Sequence, residues 1–224
     1  MRYPAHSVVQ ATFISRPNRF IAHCLLGGKE VVCHVKNTGR CRELLTPGAV
    51  VYLCKAAEGT ARKTGYDLIA VKKDTRLINM DSQAPNAAAG EFLRIHYDSV
   101  KAEVKYGVSR FDFLAEKNGR KTFVEVKGVT LEKEDAVFFP DAPTERGTKH
   151  LCELTQAVTE GYGAAVLFVI QMADIQYFMP NDATDPAFGK ALREAAAAGV
   201  EIWAYSCRVT PDSMVIDVPV EVRL

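Results

Sequence analysis

Two short runs of strand-forming residues, FDFLAE at 111–116 and KTFVEVKGV at 121–129, flank the dipeptide Asn118-Gly119. Asn-Gly tolerates positive φ at both central positions of a two-residue turn, so the runs are predicted to close as a tight antiparallel hairpin. With Lys117 facing Arg120, Asp112 falls opposite Glu125 and Arg110 opposite Lys127. Side chains repeat with period two along a strand, so all four are predicted to share one face.

Directly paired residues in such a ladder have Cβ atoms roughly 4.5–5.5 Å apart, and two carboxylates held so close repel unless a cation joins them. A hard divalent ion, Mg²⁺ or Mn²⁺, needs only one or two carboxylates together with water and phosphate oxygens. Lys127, two residues beyond Glu125, would orient or deprotonate the attacking water or neutralise phosphate charge. Asp112, Glu125 and Lys127 therefore read as catalytic residues of a phosphodiester-cleaving site, with Asp112 and Glu125 as metal ligands. The plainer reading is a solvent-facing strand with alternating charges. Val124 and Val126, interleaved with Glu125 and Lys127, argue against it. A bulge at the turn would shift the register by one and send the acids to opposite faces.

The first 80 residues carry 13 Lys/Arg against 5 Asp/Glu, a net of +8, and the remaining 144 carry 15 against 22, a net of −7. Such asymmetry suggests a polyanion-binding module joined to something else, against the plainer reading of a solvated basic face. Residues 7–14, 19–26, 30–36, 49–55 and 65–73 read as five short strands, separated by turn signals that include Gly27-Gly28, Pro47-Gly48 and Glu58-Gly59. One turn of helix is expected over 41–45. This pattern fits a small barrel of the OB type, with an SH3-like barrel as the alternative. Arg16, Arg19, Lys36, Arg40 and Arg42 cluster at predicted loop ends, where they would meet nucleic-acid backbone. Phe20 and Tyr52 are candidates for base stacking or for the core.

Residues 79–86 read as a linker, with Asn86 capping a helix over 87–97 whose apolar face is Ala88, Phe92 and Ile95. Glu91, on another side of that helix, is either a third metal ligand or an ordinary surface glutamate. A strand over 100–106 precedes the hairpin, and a charged loop, EKED, follows it. Thr144 is predicted to cap a helix reaching Glu160, with Leu151, Leu154, Ala157 and Val158 buried. Arg146, Lys149, His150 and Glu153 would lie on the other side, the first three near phosphate at the helix N-terminus. The apolar run 164–170 reads as a strand buried on both faces, followed by a helix over 186–198, a strand over 200–207 and further β structure. The class is α/β (α+β): a five-stranded barrel over 1–80, then a mixed sheet flanked by helices over 81–224.

The six cysteines show no C-x-x-C spacing and read as reduced core residues. No cleavable signal or membrane-length apolar run is apparent, so the cytoplasm is expected and no membrane partner. A homodimer is left open.

HVKNTGRCRELLTPG at 34–48, FVEVKGVTL at 123–131, FPDAPTERGTKHLCEL at 139–154 and AFGKALREAAAAGVEIWAY at 187–205 together resemble the bacterial and archaeal sugar fermentation stimulation protein family, SfsA. The resemblance implies an OB-like domain followed by a restriction-endonuclease-like domain related to PD-(D/E)xK nucleases, with DNA as partner. It implies that Asp112, Glu125 and Lys127 are the nuclease-type Asp and Glu-x-Lys, and that Asn37, Thr38, Gly39 and Arg40 match the family's Asn-Thr-Gly-Arg stretch. Thr144, Glu145, Arg146, Lys149 and His150 match its Thr-Glu-Arg-Gly-x-Lys-His stretch. Glu91 is the nearest match to the helix glutamate of that fold. The family's name describes a sugar-related regulatory phenotype, and likeness to nucleases does not establish cleavage. Three functions remain open: a metal-dependent nuclease, a non-catalytic DNA-binding regulator of sugar (maltose) genes, and a small-molecule or protein interaction module.

Overall fold

A computed structural model describes residues 1–37, 39–56 and 64–224. The chain forms two compact units, one of Met1–Ala84, Gln171–Ala173 and Cys207–Val215, the other of Pro85–Ile170, Asp174–Ser206 and Ile216–Leu224.

In the first unit, β1 (Val8–Asn18), β2 (Ile21–Leu26), β3 (Lys29–Val35), β4 (Val50–Lys55) and β5 (Tyr66–Lys73) follow a short 3-10 turn at Ala5–Ser7. β1 pairs antiparallel with β2 and β4, β2 with β3, and β4 with β5. A parallel pairing of β3 with β5 closes the five strands into a barrel, which removes exposed sheet edges. Alternate residues Phe13, Ala22, Cys24, Cys33, Val35, Val51 and Leu53 fill the interior, as period-two patterning requires. Where one turn of helix is expected, at 41–45, the chain makes a hydrogen-bonded turn and no helical element, with Leu45 N–H donating to the Cys41 carbonyl. The Glu58-Gly59 turn lies outside the described residues.

A sixth strand, β6 (Arg76–Asn79), pairs antiparallel with β5 and was not expected. The stretch expected as a linker begins inside this strand. Asn79, Met80 and Asp81 are buried, and Gln171 Nε2 donates to the backbone carbonyls of Asn79 and Asp81. The polar residues that suggested a solvated linker instead satisfy one another.

The elements that follow in the chain are α1 (Ala84–His96), β7 (Ser99–Tyr106), β8 (Ser109–Lys117), β9 (Arg120–Val129), β10 (Leu131–Lys133), β11 (Ala136–Phe139), α2 (Glu145–Thr159), β12 (Gly163–Ile170), β13 (Tyr177–Pro180), α3 (Pro186–Ala197), β14 (Glu201–Thr210), β15 (Ser213–Pro219) and β16 (Glu221–Val222), all in the second unit except Ala84 and the Cys207–Val215 stretch of β14 and β15. One six-stranded sheet runs β15-β14-β12-β9-β8-β7. β12 is parallel to both β9 and β14 and every residue in it is buried, as expected of a strand covered on both faces.

A second sheet, β10-β11-β13-β16, was not foreseen. The EKED stretch is a hairpin, because Glu134 and Asp135 both adopt left-handed φ (51° and 65°) and make the two-residue turn that Asn-Gly makes elsewhere. α1 also departs from expectation. It begins at Ala84, so Asn86 lies within it, and its buried face is Ala84, Ala88, Ala89 and Leu93 while Ile95 is exposed. Small residues let this helix lie close to the sheet: a Cβ at Gly90 would sit 3.3 Å from the Phe113 ring.

Candidate active site

The hairpin register is as the turn dictates. Asn118 and Gly119 have φ of 50° and 77°, and Lys117 pairs with Arg120, Ala115 with Thr122 and Phe113 with Val124. The ladder ends there, one pair short of Asp112 and Glu125. Instead of a backbone partner, the Val126 amide donates to Asp112 Oδ2 at 2.7 Å. Asp112 Oδ1 accepts from Asn86 Nδ2 of α1, also at 2.7 Å. Arg110 does not join Lys127; it is exposed and lies 3.5 Å from Glu103, because the strands part before reaching it.

Glu125 is 4% exposed, in the middle of a sheet. Lys127 Nζ donates to its Oε1 at 2.7 Å, and His150 Nδ1 contacts the same oxygen. Among the described residues no group donates to Glu125 Oε2, which is buried. Burial alone would raise the carboxyl's pKa, but the His150 hydrogen bond and the Lys127 charge outweigh it and lower the pKa. Asp112 goes the other way. Burial first, then the Glu125 charge, raise its pKa against the Val126 and Asn86 hydrogen bonds and the Lys127 charge. Two neighbouring acids whose environments push them apart are a recurrent mark of functional sites.

His150 is the main correction to the sequence reading. It is buried at 3% exposure, not presented outward. The inward stripe of α2 is Gly147, His150, Leu151, Leu154 and Ala157, and the i, i+3, i+4 spacing from Gly147 was the signal that places it there. Thr144 caps the helix as expected, its side chain accepting from the Gly147 amide at 3.1 Å. His150 Nε2 lies 3.5 Å from Arg146 Nε, and its ring packs edge-on to Phe111. Arg146 and Lys149 are exposed, Lys149 lying 3.8 Å from Glu153.

Asn86, read as a cap, is the residue α1 brings to the acids. Glu91 is exposed on a different side of that helix. Among the described residues no group of three or more His, Cys, Asp or Glu side chains is arranged to hold a metal. The pair Asp112 and Glu125 offers two carboxylates, within what Mg²⁺ or Mn²⁺ requires, and the partnerless Glu125 Oε2 fits a cation ligand.

In the barrel, the predicted phosphate contacts divide into two groups. Arg16 is spent on its own chain: Nη1 donates to the carbonyls of Gly39 and Arg40, and Nη2 to those of Arg19 and Asn37, at 2.7–3.0 Å. Asn37 Oδ1 accepts from the Gly39 amide at 2.7 Å. Lys36 bridges Asp81 and Asp67 at 3.2 and 3.4 Å. Arg19, Arg40 and Arg42 are exposed. Phe20, with Arg19 stacked over it at 5.8 Å, is 51% exposed and not core. Thr38 lies outside the described residues. No helix among them is long and apolar enough to cross a membrane.

Comparison with known proteins places these features in a family. Residues 14–80 match the SfsA N-terminal OB domain and residues 80–213 the sugar fermentation stimulation protein RE domain. A sugar fermentation stimulation protein homolog of Desulfitobacterium hafniense strain Y51 is 57% identical over 212 residues, 93% of this chain and 92% of that one. The Ruminiclostridium cellulolyticum homolog is 50% identical over 223 residues, covering 97% and 98%. Among solved structures, Pyrococcus furiosus SfsA in complex with Ca²⁺ superposes with a TM-score of 0.87 at 26% identity, covering all of both chains.

Proposed function

The chain belongs to the sugar fermentation stimulation protein family, and from that premise we propose that it is a DNA-binding protein with a divalent-metal-dependent nuclease site at Asp112, Glu125 and Lys127. The observation that carries this reading is the buried Glu125, one oxygen held by Lys127 and His150 and the other without a partner, next to an acid whose charged form is disfavoured. The large majority of buried side-chain oxygens have at least one hydrogen-bond partner, so an oxygen left without one needs an explanation. The Ca²⁺ bound by the Pyrococcus relative supports a cation here, with Mg²⁺ or Mn²⁺ as the ion suited to phosphodiester cleavage.

Asp112 and Glu125 would hold the ion. When bound, it supplies Lewis-acid charge to a phosphate oxygen and makes water a better nucleophile. Lys127 balances Glu125 and keeps N–H groups for a phosphate oxygen. Arg146 and Lys149, exposed in the first turns of α2, offer cationic donors to backbone phosphates. On the barrel, Arg19, Arg40 and Arg42 are free to contact phosphates, whereas Arg16 shapes the loop that carries Arg40.

Incubating purified protein with single- and double-stranded DNA and RNA in Mg²⁺ or Mn²⁺ tests the reading. Cleavage by the wild type and loss of at least about 100-fold in Asp112→Ala is expected; equal behaviour on every substrate refutes it. Salt-dependent DNA binding that survives in both proteins without cleavage would favour the regulator reading.

A further inference from the structure

We infer that His150 is the positioning residue of Glu125, holding Oε1 so that Oε2 stays turned toward the cation, an inference that rests on the metal-site reading above. Glu125 has three rotatable side-chain bonds, and a carboxylate left to itself would turn both oxygens toward whatever donors lie nearest. Two donors converge on Oε1, Lys127 Nζ at 2.7 Å and His150 Nδ1, and none on Oε2 among the described residues. The lysine is long and partly exposed, so it follows the carboxylate. The imidazole cannot. It is buried, packed edge-on to Phe111 with ring centroids 6.2 Å apart, and carried on a helix whose first turn is capped by Thr144.

Its tautomer is also assigned by its surroundings. Arg146 Nε–H can only donate, so the long 3.5 Å contact to His150 Nε2 favours a bare Nε2 and places the ring proton on Nδ1, facing Glu125. Groups that fix a metal ligand from behind in this way typically govern affinity by about 10–100-fold. Arg146 therefore links the exposed start of α2 to the acid pair through one ring.

The test is titration of the full chain with Mn²⁺ alone, followed by calorimetry, on wild type, Asp112→Asn, His150→Ala, His150→Asn and His150→Gln. Thermal melts first select the variants that remain folded. An asparagine amide places its N–H near the position of Nδ1, and a glutamine amide nearer that of Nε2. His150→Ala and His150→Gln are expected to bind Mn²⁺ about 10–100-fold more weakly, with His150→Asn recovering most of the loss. Uniform loss in all three, or affinity unchanged in His150→Ala, overturns the inference while Asp112→Asn still abolishes binding. If the wild type binds no Mn²⁺, the metal-site reading itself fails and this inference with it. Should His150→Ala not fold, the contrast between the Asn and Gln variants decides.

Discussion

In the barrel, one ammonium serves two acids: Lys36 Nζ lies 3.2 Å from Asp81 Oδ2 and 3.4 Å from Asp67 Oδ2. Tyr3 Oη donates to Asp81 Oδ2, the Gln83 amide to Oδ1, and His34 Nδ1 lies 3.2 Å from Asp67 Oδ1. In the sheet, the same set of four groups, two carboxylates, a lysine and a histidine, is arranged differently. Lys127 and His150 both converge on Glu125 Oε1, Asp112 is held by amides that carry no charge, and Glu125 Oε2 is left over. The composition of a polar cluster therefore does not tell a structural network from a site. What separates them is whether each carboxylate oxygen has a partner.

The largest expected effect sharpens that contrast. Lys36→Met takes the compensating ammonium from two buried acids at once and should cost about 3–5 kcal/mol of stability in urea titrations, as breaking a buried pair does. Lys127→Met should cost less, because it takes the ammonium from one acid, Glu125, rather than from two. Equal losses would break the comparison. Next, Asp112→Asn should stabilise the cation-free protein by about 1 kcal/mol, since burial and Glu125 already disfavour its charge. Asp81→Asn should destabilise by about 1–3 kcal/mol by leaving Lys36 and Tyr3 poorly matched.

Thr144→Ala, removing the cap of the helix that carries His150, should lower stability by about 1 kcal/mol. The smallest effect is on pH dependence in the acid range. Glu125, with its pKa lowered in the folded state, contributes stability above the ordinary carboxylate range near about pH 4, lost as pH falls through the lowered value. Asp112, with its pKa raised, contributes at the acid end and loses that contribution as pH rises through the raised value. The two slopes oppose each other in the wild type. In Glu125→Gln the site's contribution should only fall with rising pH, and in Asp112→Asn only rise, each by less than about 1.4 kcal/mol per pH unit.

Local rules made the hairpin, the barrel and the capped α2 legible, because turn chemistry, period-two alternation and an N-cap act within a few residues. The final step of the register was not, since Asp112 exchanges a ladder partner for the Val126 amide only where the strands part. Asn86 looked like a cap because the small residues before it did not announce a helix already begun, and its contact with Asp112 spans 26 positions. Arg16 and Lys36 looked like phosphate contacts because a charge in sequence shows no partner; four carbonyls and two acids claim them in space. The second sheet depended on Glu134 and Asp135 accepting left-handed φ, which neither residue signals strongly.

Diffraction from crystals soaked in Mn²⁺, with data collected for its anomalous signal, tests the central claim most directly. The account predicts a peak beside Asp112 and Glu125 Oε2, lost in Asp112→Asn, and none at Asp67 and Asp81. A peak at the barrel acids, or none beside Glu125 at saturating ion, would contradict it.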